Sequence, residues 1–523
     1  MSFRKNFGAV LLAAISTVAG SAKAADQSLA ADQSLVDKGA YLARAGDCTA
    51  CHSEPNSPPL SGGVAVTSPF GKIYAPNLTP DKDTGIGNWS DDDFYRAMHE
   101  GVRKDGQYLY PAFPYLWFTT VTRDDVKAIK AYLDSLPPVH KEARKTHLVF
   151  PFDIRGGMAA WNAAFFKAGE FKPDPSKSAE VNRGAYLVQG LGHCGDCHTP
   201  KGFSLEPLRD KAYSGGGIDD WYAPNITADV KLGIGGWKDD DLAKYLKTGL
   251  APGKGPVVGP MAQVVHESLS TLTDADVGAI VAYLKQTKPI APYKPEPAAA
   301  FQGPHALGEG HYLSNCASCH QQDGKGRANV IPALAGSGVV QAKGPEDVIR
   351  VVLGGLLAHG TYPPMPAIGS GLSDAEVADI VDYVRNAWGN AAPGIAESGL
   401  VGAIRAKTFG VMALKGDPDL KNDPCAVGAD AVPVKSIDDP QNQIAKTLEG
   451  MKPETMQETI DQLIAQAKNL APNFSQAEII NGLTQQYCRL LVKSGESSKP
   501  DAQIRIGNFT DLVYTQLVSH GQD

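Results

Sequence analysis

The chain is short of positive charge, of cysteine and of long apolar runs. Lysine and arginine number 49 against 57 aspartates and glutamates, a formal net charge of −8. There is no basic footprint for nucleic acid, so no nucleic acid partner is expected. Beyond the first 24 residues no stretch reaches the ~18 to 20 uninterrupted apolar residues of a spanning helix, so membrane contact has to be peripheral or through another protein. No serine, cysteine or carboxylate constellation with catalytic order stands out, which removes the usual hydrolytic and acid–base machinery. Only eight cysteines and eight methionines occur in 523 residues, so the position of each carries information.

The N-terminus reads as a processing signal, residues 1–24. "MSFRKN" is a short basic region, "FGAVLLAAISTVAG" an apolar run too short for a typical span, and "AKA" supplies the small residues of a cleavage site. Cleavage after Ala24 would remove Arg4, Lys5 and Lys23 and no acid, making the mature chain more acidic still. The expected location is the periplasm, an oxidising compartment where cysteines pair or carry cofactors.

Six of the cysteines fall in three pentapeptides, "CTACH" (Cys48, Cys51, His52), "CGDCH" (Cys194, Cys197, His198) and "CASCH" (Cys316, Cys319, His320). A single match also fits a disulfide hairpin or half of a zinc site. Three matches, each followed at once by histidine and each inside a longer repeat, point to attachment of c-type haem. Two thioether bonds would fix the porphyrin edge and the histidine would reach iron from one face, giving three covalent haem c groups.

The repeat extends well beyond the pentapeptides. "VDKGAYLARAGD", "VNRGAYLVQGLGH" and "LGEGHYLSN" precede them, each reading as a short helix. "VTRDDVKAIKAYLDSLP", "LTDADVGAIVAYLKQTK" and "LSDAEVADIVDYVRNAW" follow, each a capped amphipathic helix. Between them the first two copies share "YAPNLTPDKDTGIGNWSDDDF" and "YAPNITADVKLGIGGWKDDDL", whereas the third is shorter. The fold expected is mainly α, with three tandem class I cytochrome c domains at 25–150, 151–290 and 291–392 and a small helical C-terminal appendage at 393–523.

A haem iron held by histidine takes a second axial ligand when its task is electron transfer, and methionine raises the potential. Met261 in "GPMAQ" and Met365 in "YPPMPAIG" stand at the same place in copies two and three, in a Pro-flanked loop just before the last helix. In copy one that place holds Phe113, which cannot bind iron. Aligning "WSDDDFYRAMHEGV" with "WKDDDLAKYLKTGL" and "EDVIRVVLGGL" sets Met98 over Leu246 and Val352, an apolar column that should line the pocket. Met98 is therefore the candidate ligand for the first haem, with His99, Met158 or an open iron as alternatives.

These residues resemble the triple-haem cytochrome c subunit of bacterial membrane-associated periplasmic dehydrogenases that oxidise alcohols, gluconate, fructose or aldehydes. The likeness spans roughly residues 35–392 and rests on the three haem motifs with "YAPNLTPD", "GIGNWSDDDF", "DGQYLYPAFPY" and "PFDIRGGMAAWN". It implies a separate dehydrogenase catalytic subunit of quinoprotein, flavoprotein or molybdenum type as partner. It further implies electron delivery to ubiquinone at the membrane surface, and methionine ligands at Met261 and Met365. "YPAFPY" with "RAMHEG" looks more like the partners of molybdenum-dependent aldehyde or N-heterocycle dehydrogenases. The competing classes are a peroxidase-like haem enzyme with an open first site, and a free periplasmic electron shuttle. Past residue 392 the chain departs from the family pattern. Cys425 and Cys488 suggest a structural disulfide, Ile460, Leu463, Ile464 and Ala467 a helix, and residues 400–414 either an interfacial helix or one packed on the domains.

Overall fold

The structure, a computed structural model, describes residues 33–218, 221–294, 307–327, 331–356, 362, 364–365, 367–393, 397–407, 437–452, 455–474, 476–496, 505, 509, 512–513 and 516–517. It is mainly helical, and the chain divides into two compact units. The first comprises residues 1–172 with 190–192, the second 173–189 with 193–523.

One helix pair recurs three times. The helix over 33–45 packs on Arg123–Asp134, Ala179–Tyr186 on Asp274–Leu284, and Leu307–Asn315 on Asp374–Asn386. Each pair crosses at a glycine. A Cβ on Gly39 would lie 1.9 Å from the carbonyl oxygen of Ala128, one on Gly184 1.8 Å from that of Ala279, and one on Gly308 2.3 Å from that of Asp379. No side chain fits there, so the backbones touch. Beside the first two crossings the helices are pinned by charge, Lys38 to Asp125 at 2.6 Å and Arg183 to Asp276 in a two-pronged contact at 2.8 Å.

The three closing helices begin as their sequences dictate. Thr122, Thr273 and Ser373 accept from the backbone N–H three residues on, and Ser373 with Glu376 forms a full capping box. Acids in the first turn complement the helix dipole. Their inward faces carry the core, with Val126, Ile129 and Leu133, then Val277, Ile280 and Leu284, then Val377, Ile380 and Val381 all buried.

Short strands, not expected from periodicity, form two small antiparallel sheets. Ala65–Ser68 pairs with Gly71–Tyr74, which pairs in turn with His147–Leu148, and Gly216–Ile218 pairs with Trp221–Ala223. Residues 151–172 stay with the first unit, because Asn162 accepts from the Tyr115 hydroxyl at 2.6 Å and Trp161 and Phe166 pack on the Tyr115–Trp117 cluster.

At the C-terminal end the helices Gln443–Glu449, Met456–Leu470 and Gln476–Lys493 share a core of Ile444, Leu448, Ile460, Leu463, Ile464, Ala467, Ile480 and Leu483. Cys488 is disulfide-bonded, while Cys425 lies outside the described residues. Of the stretch 400–414, the described part belongs to the helix Ser398–Arg405, which packs rather than lying free. Val401 and Ile404 are buried in the third repeat's core, and Arg405 bonds Asp374 and the carbonyls of Gly369 and Leu372. Among the described residues no helix is long and apolar enough to cross a membrane.

Two glycines in one helix pair separate close approach from propensity. Gly184→Ala is expected to cost about 1–3 kcal/mol, because the added methyl drives into backbone. Gly278→Ala, whose Cβ would find its nearest neighbour at 3.9 Å, should gain about 0.5–1 kcal/mol. Thermal unfolding of the two variants, moving in opposite directions, checks this.

Candidate haem-binding sites

The pentapeptides form short helices, Cys48–His52, Cys194–His198 and Ala317–His320. In the first two the preceding residue, Asp47 or His193, is left-handed and turns the chain sharply out of the helix before it. The six cysteines are half-buried thiols. Burial pushes the first thiol of each pair, Cys48, Cys194 and Cys316, up to about 12, so each is a neutral S–H.

The histidines share one geometry. Each is 8% exposed, and its Nδ1 stands at hydrogen-bond distance from a proline carbonyl: His52 to Pro76 at 2.8 Å, His198 to Pro224 at 2.7 Å, His320 to Pro332 at 3.0 Å. A carbonyl can only accept, so Nδ1 holds the proton and Nε2 carries the lone pair. Burial lowers all three pKa values, that of His320 to about 4, which keeps the imidazoles in the neutral form that ligates metal. Two thiols and an oriented neutral imidazole are what covalent haem c requires, so the residues fit the group.

Buried asparagines fix the proline loops. Asn77 donates to the Val139 carbonyl at 2.7 Å and accepts from the Thr79 N–H, and Asn225 does the same with Ile290 and Thr227. In the third copy the asparagine comes from the other side, Asn390 donating to Leu334 and accepting from the Gly336 N–H. The sequence displays the signal for the first two in "YAPNLT" and "YAPNIT", yet a role for a backbone carbonyl has no side-chain signature. The third lacks the motif altogether.

The remaining candidates occupy varied settings. Met261 is half-buried, in the first turn of the helix Pro260–Glu267 and not in a loop, because Pro260 at N1 starts the helix. Met365 is half-buried and pairs with Leu356 in an antiparallel bridge, each N–H donating to the other's carbonyl at 2.8–2.9 Å. Phe113 packs against Phe118, ring centroids 5.4 Å apart, as an ordinary wall residue. Met98 is 5% exposed, and Leu246 and Val352 in the same column are also buried. His99 is half-buried and stacks on Tyr95, with its Nδ1 in the interior and no partner. Met158 is half-buried on the helix Gly157–Phe165.

A family model described as cytochrome c matches residues 305–388. The chain is 39% identical over 416 residues to the cytochrome c subunit of the quinone alcohol dehydrogenase of Gluconacetobacter polyoxogenes, covering 75% of this chain and 88% of that one. The chain belongs to the dehydrogenase cytochrome c subunits. The gluconate 2-dehydrogenase cytochrome c subunit of Pantoea cypripedii is 36% identical over 439 residues, 79% of this chain and 98% of that one. A nicotinate dehydrogenase subunit of Pseudomonas putida is 41% identical over 364 residues, 67% of this chain but 30% of that protein. As a dehydrogenase cytochrome c subunit the chain carries haem c covalently and serves electron transfer.

In this cytochrome c subunit the strand Trp221–Ala223 reaches several groups at once. It leads directly into Pro224, the partner of His198. The Trp221 ring lies against the backbone of Gly259, where a Cβ would meet it at 2.7 Å, two residues before Met261. The Tyr222 N–H donates to Asp347 at 2.8 Å, and the Arg350 guanidinium stands 5.3 Å over Trp221. Burial raises the Asp347 carboxyl to about 7, against the opposing pull of the Tyr222 N–H, and Glu346 adds to the rise.

For a carboxyl raised in the folded state, the stability it contributes is present below its unfolded value near ~4 and is lost as pH rises towards about 7. Asp347→Asn keeps an acceptor for the Tyr222 N–H and cannot ionise. It should therefore unfold at a higher temperature than the parent at pH 8 and at nearly the same temperature at pH 4, by calorimetry at both values.

Proposed function

We propose that the chain is an electron wire with three haem c groups, one in each of three tandem cytochrome c domains. Cys48 with Cys51, Cys194 with Cys197, and Cys316 with Cys319 hold the porphyrins, and His52, His198 and His320 are the proximal ligands. Met261 and Met365 are the second ligands in copies two and three, and Met98 takes over where Phe113 cannot serve. Electrons come from a dehydrogenase catalytic subunit and pass to ubiquinone at the periplasmic face of the cytoplasmic membrane, where the mature chain attaches peripherally after loss of residues 1–24.

The reading is carried by one observation: three times, a buried histidine donates Nδ1–H to a proline carbonyl directly behind two thiols. Haem c, when bound, supplies an iron that exchanges single electrons. The chain's own work is to orient the imidazoles and exclude water with the buried columns around Met98, Leu246 and Val352. The thiols present carbon–sulfur anchoring points. The relatives named for quinone alcohol dehydrogenase and for nicotinate dehydrogenase support a dehydrogenase partner.

Carbon monoxide uptake by the fully reduced protein tests the ligand assignment, since ferrous haem takes up the gas where its sixth position is open or weakly held. The parent is expected to stay silent, and Met98→Leu, Met261→Leu and Met365→Leu each to open a single site. Uptake at one site by the parent, unchanged in Met98→Leu, would overturn Met98 and leave the first site open to a peroxidase-like role.

A further inference from the structure

From residue 149 to 165 the first unit turns apolar residues outward. Val149 is 59% exposed, Phe150 79%, Phe152 43%, Ile154 55% and Phe165 37%. The helix Gly157–Phe165 buries only Asn162 and leaves Ala159, Ala160, Ala163 and Ala164 exposed. Elsewhere among the described residues the large exposed apolar side chains, such as Phe203 and Val230, are scattered, which is ordinary for a protein surface.

The outward face is held in place by its own unit. Val149 N–H donates to the Phe70 carbonyl, the Phe152 ring stacks on Phe70 with centroids 3.7 Å apart, and the Tyr110 hydroxyl donates to the Phe152 carbonyl at 2.9 Å. Arg155 donates to the Tyr108 carbonyl at 2.9 Å and lies 4.5 Å over the Tyr110 ring. The inward-facing partners are thus polar backbone and two rings, Phe165 lies tilted against Trp161 with centroids 5.4 Å apart, and the outward sides of these residues stay exposed.

Charge around this face reverses that of the chain. From 141 to 172 there are six lysines and arginines against three acids, in a protein whose net charge is −8. Lys145, Lys167 and Lys172 are exposed, as are Glu142, Asp153 and Glu170, while Lys141 and Arg144 both pair with Glu54, so the segment keeps a smaller positive excess. Exposed Phe, Val and Ile bordered by exposed lysine is the pattern of a segment lying in a bilayer interface, where the apolar groups enter the acyl boundary and ammonium groups meet anionic headgroups. Protein interfaces, by contrast, are depleted in lysine.

We propose that the surface built from Val149, Phe150, Phe152, Ile154 and Phe165 is where the protein lies on an anionic phospholipid bilayer. The proposal rests on the reading of a membrane quinone as acceptor and deepens it by naming the contact. It sets the loop carrying Tyr110 and Phe113, part of the first haem site, beside the lipid.

The haem-loaded full chain is sedimented with vesicles of phosphatidylethanolamine and phosphatidylglycerol. The parent should bind, and Phe150→Asp with Ile154→Asp should weaken binding about tenfold or more. Phe203→Asp, a lone exposed aromatic, should bind as the parent does. Haem spectra and thermal midpoints of all three should coincide, since every substituted residue is exposed. Vesicle binding unchanged in the double variant overturns the proposal. So does a parent that ignores vesicles, and loss of the co-purifying dehydrogenase subunit in the double variant would then make the face a protein interface. Reduction of a short-chain quinone is read in parallel in detergent: vesicle binding through this face without quinone reduction supports the surface and removes the quinone reading.

Discussion

Three glycines set the spacing on which the rest of the molecule depends. Gly39, Gly184 and Gly308 let the opening helix of each repeat touch the backbone of its closing helix, and any larger residue would hold the two apart. Because the crossing is fixed, the chain that leaves the opening helix delivers Cys48–His52, Cys194–His198 or Ala317–His320 to the same place each time. The closing helix then ends near Val139, Ile290 and Asn390, the groups that secure the loops carrying Pro76, Pro224 and Leu334. A contact between two backbones thereby decides where an imidazole points.

The electrostatics follow from burial. The histidines are neutral because they are out of water, and each is oriented because a fixed carbonyl is nearby. Both conditions, neutrality and fixed orientation, are what an imidazole needs to ligate a metal. What varies among the copies is the setting of the remaining candidates, with Met261 on a helix, Met365 in an isolated antiparallel bridge, Phe113 against Phe118, and Met98 buried.

Features written in local sequence were legible from the residues alone. The pentapeptides, the Thr122, Thr273 and Ser373 caps and the Ile460–Ala467 stripe each sit within one or two turns, and the structure has them as helices with the expected faces inward. Features that depend on distant backbone were not. The glycines in "KGAYL" and "RGAYL" are visible as a repeat, but their role needs a partner carbonyl far along the chain, Ala128 in the case of Gly39, and in the third copy the crossing falls on Gly308 while the glycine of "EGHYL", Gly310, meets nothing. The small sheets were missed because two to four residues give no period to read. Helix Ser398–Arg405 had a composition suited to an interface, and Arg405 bonding to Asp374 is what commits its described residues to the third repeat instead.

The central claim is that three equivalent sites each hold a haem by thioether bonds. The intact mass of the chain, produced with haem-attachment machinery and denatured, tests it most directly. The account predicts the polypeptide plus three haem groups, with one fewer when both cysteines of any single pentapeptide are replaced by alanine. A parent chain carrying one or two haem groups, or a pair whose replacement changes nothing, would contradict it.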